Sequence, residues 1–476
     1  MSQKLYKINE FIGLNQYHDE NELSAAYSPD CANMDTSGGK LSVAKGFTRF
    51  ASVQIPGSEE FVALYMGPSL ANMSTLAFTR RLVYKLSGAV AHWAVLHTFE
   101  TPLTSGRIDF ARAHIDDVDC LVIATGETQL MKYDGETISA FGSSELGSDA
   151  AVNYVTMYAG RLFAAGDALH PSRLYYSQLS GGGRSVEDWR ESEVSPELSG
   201  GYVDVGGADH DAITCIASLK NQLLIFMESS IYRLIGDRPS NFIVERLCDA
   251  PESIRHTAFV NMGDGGYFMT QKGLYAYNGV AVYRTRNADF ICRVLESARL
   301  TNCISAKTHF KLLFKLDLSH DRDCIVEYDL RTGGYMLRTG FTVDALWAFA
   351  GNVYMLNSNR YLYLLDSGTT YDGEPIAAHW RTPTTDLSNK GEIKALRALY
   401  ARGEGAAQDA VRLETRVDSR AHGYDLSLMR GADEVAEVPL KDRGRTFSLK
   451  FANNEGHWFS LHAGVELLLA CERRVE

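Results

Sequence analysis

QLLIFMESSIYRLIG, residues 222–236, is an apolar run, a small polar break and a second run with tyrosine and leucine. Such a pair of runs predicts an antiparallel hairpin, because apolar and β-branched side chains fill a pleated face while Ser, Asn, Asp and Gly tolerate the turn. Leu223 to Met227 is apolar at consecutive positions, so both faces of that strand are expected to be buried. Outward from it the gesture recurs, as STLAFTRRLVYKLSG (74–88), CLVIATGETQLMKYDG (120–135), RLFAAGDALHPSRLYYS (161–177), GGYFMTQKGLYAYNG (265–279), KLLFKLDLSHDRDCIVEYDL (311–330) and NVYMLNSNRYLYLL (352–365). With 222–236 in place, the starts lie 46, 41, 61, 43, 46 and 41 residues apart. A four-stranded propeller blade occupies about 40–45 residues.

The period predicts an all-β chain with a β-propeller of about seven blades, range six to eight, over residues 49–375. Its first strand is expected at Phe61 to Met66, and strands from both ends of the repeat are expected to share one blade. The long interval predicts a loop inserted at about 179–205, between blades three and four. Residues 1–48 lack the hairpin rhythm and read as an extended arm lying over a partner or the propeller wall. From Ile376 onward the runs lengthen and alternate apolar with polar, as in VRLETRVD (411–418) and TFSLKFAN (446–453). That alternation predicts a small C-terminal β-sandwich over 376–476, although the Ala, Leu and Arg content of 392–402 also suits a helix.

Of the 476 residues 45% are apolar, ample for a core, and no run of 18 apolar residues predicts a membrane helix. The opening MSQKLYKINEFIG lacks the apolar core of a secretion signal. Eight scattered cysteines without a CxxC pair read as buried thiols in a reducing compartment. Residues 376–476 hold 15 Lys+Arg and 15 Asp+Glu, so the net charge of −12 lies wholly in residues 1–375, with 32 basic and 44 acidic. No basic run offers the phosphate contacts that tight duplex binding requires.

Catalytic signatures are absent. SVEDW (185–189) does not match the sialidase repeat, and no H-E-x-x-H, G-x-S-x-G or P-loop is present. His92 and His97 span an apolar strand and read as packing. Asp204, Asp209 and Asp211, around GGADHD (206–211), have too few alternating carboxylates for a calcium loop and read as a structural turn. The expectation is therefore no enzyme, with no catalytic, cofactor-binding or metal residues.

GRLFAAGDALHPSRLYYS (160–177), Trp189, GGYVDVGGADHDAITCI (200–216), FVNMGDGGYFMTQKGLYAYNG (259–279), the N-terminal FIGLN and NMDTSGGKLSVAKGF, and HWRTPTTDLSNKGEIKALRALY (379–400) together resemble the β-propeller tail hub, or nozzle, of short-tailed bacteriophages, including the packaged-DNA stabilisation proteins. The resemblance spans most of the chain, on turns and strands rather than catalytic signatures. It implies a structural virion protein assembled in the bacterial host cytoplasm as a homo-oligomeric ring, a hexamer. Such a ring sits below the portal and adaptor, contacts other tail proteins, extends the DNA channel and helps retain and eject the genome. No membrane is involved, and an acidic wall would pass duplex DNA without gripping it. The alternative is a host-attachment propeller that binds or cleaves surface carbohydrate.

Overall fold

The computed structural model describes residues 2–68, 73–88, 91–142, 146, 151–181, 185–191, 195–207, 211–318, 322–407, 409–428 and 434–473. Strands dominate, and the longest helix among these residues is the short Cys292–Ser297.

Each quoted hairpin forms the middle of an antiparallel four-stranded meander. Sheet I runs Phe61–Pro68, Met73–Thr79, Leu82–Ser87, His92–Thr98. Sheet II is Asp109–Ile115, Val118–Ala124, Met131–Tyr133, Ile138–Ala140. Sheet III is Tyr154–Tyr158, Arg161–Ala165, Arg173–Tyr176, Gly201–Asp204. Sheet IV is Ile213–Leu219, Gln222–Met227, Ser230–Ile235, Ile243–Asp249. Sheet V is Phe259–Asn261, Gly266–Thr270, Gly273–Tyr277, Val282–Arg284. Sheet VI is Ala298–Lys307, Lys311–Leu318, Arg322–Asp329, Tyr335–Thr339. Sheet VII combines Ala345–Phe349, Asn352–Leu356 and Leu362–Leu365 with Phe47–Arg49 from near the N-terminus. Several first hairpins close on two residues of positive φ, as at Asp116–Asp117, Ala159–Gly160 and Ala350–Gly351, whose twist matches that of the flanking strands.

The sheets bury both faces against their neighbours. Leu76, Phe78 and Val83 of sheet I meet Leu121 and Ile123 of sheet II. Val122 and Ala124 meet Val155 and Leu162 of sheet III, Phe163 and Leu174 meet Leu223 and Ile225 of sheet IV, and Leu224 and Phe226 meet Phe268 of sheet V. Sheets V, VI and VII share a further core through Met269, Phe314 and Met355. The circuit closes where Leu356 and Leu362 of sheet VII meet Leu64 and Ala77 of sheet I. Meanders packed face to face in a closed circuit make a β-propeller. Full burial of each such Leu, Ile or Phe contributes about 1.5–3 kcal/mol, which a lone hairpin could not gain.

Two expectations are corrected. The inserted segment does not separate two sheets. It lies within sheet III, between Arg173–Tyr176 and Gly201–Asp204, because GYVD is an outer edge strand with alternating exposure and carries little apolar signal. Its Val186 and Trp189 plug the seam between sheets II and III. The buried Arg161 ties the segment down by donating to the carbonyls of Ser177, Ser199 and Glu197 at 2.7, 2.6 and 2.6 Å.

Residues 1–48, expected as an extended arm lying over a partner or the propeller wall, are instead woven into the sheets. Ser2–Ile8 pairs antiparallel with Val465–Arg473, Asp30–Ala32 with His379–Arg381, and Lys40–Val43 with Phe459–His462, while Gly13–Leu14 extends sheet VI beside Tyr335. Most of these strands are two to four residues long, too short to show a period in sequence. They complete the sheets of the C-terminal region, whose strands include Glu392–Ala401, Val411–Val417 and Phe447–Asn453. Residues 392–401 form a strand, not a helix. Leu396, Leu399, Leu413, Phe451 and Leu469 pack there with N-terminal Ile8 and Leu41 in one core.

A buried charge network joins these strands to the propeller. Lys311 Nζ lies 3.1 Å from Asp35 and 3.0 Å from Glu327. Arg338, 1% exposed, places Nε 2.7 Å from Glu327 Oε1, off hydrogen-bond alignment, while its other nitrogens reach Asp366 and the Lys45 carbonyl. Burial opposes ionisation of Asp35, yet Lys311 and Ser37 hold its carboxyl down at about 2.

Candidate axial site

The first strand of each sheet lies innermost, so these strands face one another around the propeller axis. A cavity of about 190 Å³ sits there, lined by Leu64, Asp109, Phe110, Ser305 and Trp347. At roughly 30 Å³ per water it has room for only a few waters.

The chain closes one mouth of this channel itself. The connection from sheet IV to sheet V crosses the axis at Arg255, His256 and Thr257. Arg255 donates from Nη1 to Thr301 O and Asn302 Oδ1, both at 2.9 Å, and from Nη2 to Gly106 O at 3.0 Å. Thr257 donates to Cys303 O at 2.5 Å, and Ser305 donates back to Thr257 O at 2.7 Å. The plug thus spans from sheet VI to the segment leading into sheet II. Innermost strands have no further strand to pair with, and these bonds satisfy backbone groups that would otherwise be orphaned.

Two titratable side chains are spent the same way. His256 Nε2 lies 3.2 Å from the Ile108 carbonyl, so that nitrogen carries the proton, and its buried Nδ1 has no partner. Burial, with Arg255 alongside, pushes the imidazole down to about 3, so it is neutral at any physiological pH. Its ring sits 5.3 Å from that of Tyr154, whose hydroxyl burial pushes up to about 12. Asp109 accepts the N–H groups of Val155 at 3.0 Å and Phe110 at 2.9 Å, and burial pushes its carboxyl up to about 7. General acid–base work needs such groups to converge on one transferable proton. Here each is committed to backbone, so they serve as inter-sheet staples.

Around the plug a second cavity, about 410 Å³, opens at the mouth, with Arg107, Arg255, Arg299, Glu228, Glu252 and Tyr154 on its wall. No motif flagged these side chains, which come from separate strands and connections and are gathered only by ring closure.

The residues weighed in the sequence are placed as follows. Asp204 pairs with Arg173 at 3.0 Å. Asp211 accepts the Ser229 N–H at 3.0 Å and the hydroxyls of Ser229 and Ser230 at 2.6 and 3.2 Å, fastening a turn of sheet IV. Asp209 lies outside the described residues, so the turn proposed for 206–211 is seen only at its ends. His97 packs edge-on against Phe99 at 5.2 Å, and His92 begins the last strand of sheet I. Among the described residues, no three His, Cys, Asp or Glu side chains are grouped as a metal ion would require.

No family model and no curated protein matches the chain. Solved structures do. The WD40 β-propeller domain of Doa1 is 9% identical, with a TM-score of 0.42, over 67% of this chain and 96% of that one. The computationally designed Ika8 protein is 11% identical, TM-score 0.41, over 75% and 99%. BamB from Moraxella catarrhalis is 9% identical, TM-score 0.38, over 67% and 97%. Likeness at this level concerns fold alone and carries nothing about activity or partners.

Proposed function

We propose that this chain is a structural subunit of the tail of a short-tailed bacteriophage, a hub or nozzle built as a seven-bladed propeller joined to a small β-sandwich. Six copies form a ring below the portal and adaptor, and the ring's lumen extends the DNA channel. The resemblance of residues 160–177, 200–216 and 259–279 to such proteins motivates the reading. The observation that supports it best is the self-closed axis: with Arg255 and Thr257 bonded across it and about 190 Å³ inside, no duplex can thread a single propeller. DNA must then run between subunits, and each propeller is a block of the wall. Weaving residues 2–49 through both units gives that block the stiffness a pressurised joint needs.

Particles assembled without this chain should fill with DNA and then lose it on purification, read as nuclease-sensitive genome beside intact heads. Full genome retention in its absence contradicts the proposal.

A host-attachment role is the second reading. A groove of about 380 Å³ between the propeller exit and the C-terminal region presents Trp458, Glu455 and Thr370, an aromatic face beside hydroxyl and carboxylate groups, as a sugar would require. Saturable quenching of tryptophan fluorescence by host oligosaccharide, lost in Trp458→Ala, would favour that role.

A further inference from the structure

The mouth of the propeller axis holds positive charge that the chain does not neutralise. Arg107, Arg255 and Arg299 share the wall of one cavity, and among the described residues none lies within 4.0 Å of a carboxylate oxygen. Arg255 spends its bonds on the neutral oxygens of Thr301, Asn302 and Gly106, and its Nε is buried without a partner. Burial and the like charge of Arg107 both pull Arg255 below the ordinary guanidinium range, so the two cations are close enough to repel.

A guanidinium withdrawn from water is costly unless an anion compensates it. The rim carboxylates do not do so: Glu252 accepts the Gln271 N–H at 2.6 Å, and Glu228 approaches none of the three arginines within ion-pair distance. In a chain of net charge −12, three arginines at one concave point, bonded among the described residues only to neutral oxygens where they are bonded at all, stand against the prevailing field. Guanidinium forks match the paired oxygens of carboxylate and phosphate groups. The Tyr154 hydroxyl, protonated at neutral pH, adds a donor to the same wall. The volume, about 410 Å³, admits a phosphate-sized group with several waters.

We propose that this mouth binds a compact oxyanion, a phosphate or carboxylate group, between Arg107, Arg299 and the open edge of Arg255. The site stands independently of the tail reading.

The test is isothermal titration of the full-length protein with inorganic phosphate, and separately with acetate, at constant ionic strength. Saturable one-to-one binding is expected, weakened about tenfold or more in Arg107→Gln by loss of a charge-assisted bond. Stronger binding of phosphate assigns a phosphoryl ligand, and equal or stronger binding of acetate assigns a carboxylate, such as a partner's side chain. Arg299→Gln, at an exposed position, gives the same reading should Arg107→Gln fail to fold. Absence of saturable heat with either anion, or unchanged affinity in both variants, overturns the proposal.

Discussion

The Tyr371 hydroxyl donates a 2.9 Å hydrogen bond to Asn33 Oδ1, joining the segment that leaves the propeller to one that precedes it. Asn33 Oδ1 also accepts the Thr339 N–H at 2.8 Å, and its Nδ2 donates to the carbonyls of Thr339 and Ala377 at 3.1 and 2.8 Å. Beside it Phe47 stacks on Tyr371, with ring centroids 5.0 Å apart. Gly46 permits this docking, because a Cβ there would lie 1.8 Å from the Thr370 carbonyl oxygen. Ring closure, sheet VI and the C-terminal region therefore meet at one buried amide.

Asn33→Ala should destabilise the protein by about 2–4 kcal/mol, since several buried partners lose their bonds together. The residue also sits at φ +56°, which Asn tolerates and Ala resists. Urea unfolding reads the loss. A change below about 0.5 kcal/mol would show that the junction is not a keystone.

Deleting residues 1–45 should abolish cooperative folding. The truncation removes Asn33, Asp35 and the Lys45 carbonyl from the buried network and takes an edge strand from each of several sheets. An arm merely lying over a partner or the propeller wall would instead leave a folded propeller. Loss of the sharp thermal transition is the expected result, and a wild-type-like melt would restore the arm reading.

Phe47→Ala tests ring closure separately. The side chain is buried among Phe341, Tyr363 and Tyr371, so truncation should cost about 3–5 kcal/mol. It should also raise hydrogen exchange first in sheet VII, whose outer strand it anchors. Uniform exchange across all sheets would contradict that placement.

Opposed contributions to stability cross the range from about pH 4 to 7: those of Asp109 and Asp344 fall as pH rises, while that of His256, held down at about 3, rises. Burial pushes the Asp109 carboxyl up to about 7, above its unfolded value, so the folded state holds a proton that the unfolded state releases. That stabilising contribution is complete below the unfolded pKa and is lost as pH climbs through the folded one. Asp344, pushed up to about 6 mainly by burial, adds the same sign. Asp109→Asn removes the falling contribution and should shift the slope of stability against pH toward rising between pH 5 and 7; an unchanged slope would place the Asp109 carboxyl in water.

The acid limb has the opposite sign. Bonds from Arg381 at 2.7 and 2.8 Å hold Glu20 down at about 2. Its contribution is present above the usual carboxylate pKa and is lost as pH falls toward 2. Glu20→Gln should cost about 1–2 kcal/mol at pH 7 and nothing near pH 2. Equal destabilisation at both pH values would mean packing, not charge.

The hairpins were legible because strands such as Leu223 to Phe226 are buried on both faces and leave an unbroken apolar run. GYVD escaped notice as an outer strand, since an edge that is half exposed has no such run. The pairing of Ser2 with Cys471 left no local trace, for register between chain ends is set by the finished fold. The arginine mouth was equally hidden: Arg107, Arg255 and Arg299 are isolated in sequence, and only the plug across the axis gathers them. Asp211 accepts the Ser229 N–H at a turn of sheet IV, a local bond of the kind an Asp beside Gly signals in sequence.

Electron microscopy of the assembled particle tests the central proposal most directly. The account predicts a ring of this chain below the portal, with DNA density in the lumen between subunits and every propeller axis closed by Arg255 and Thr257. DNA density running along a propeller axis, or this chain present only as peripheral appendages away from the DNA channel, would contradict it.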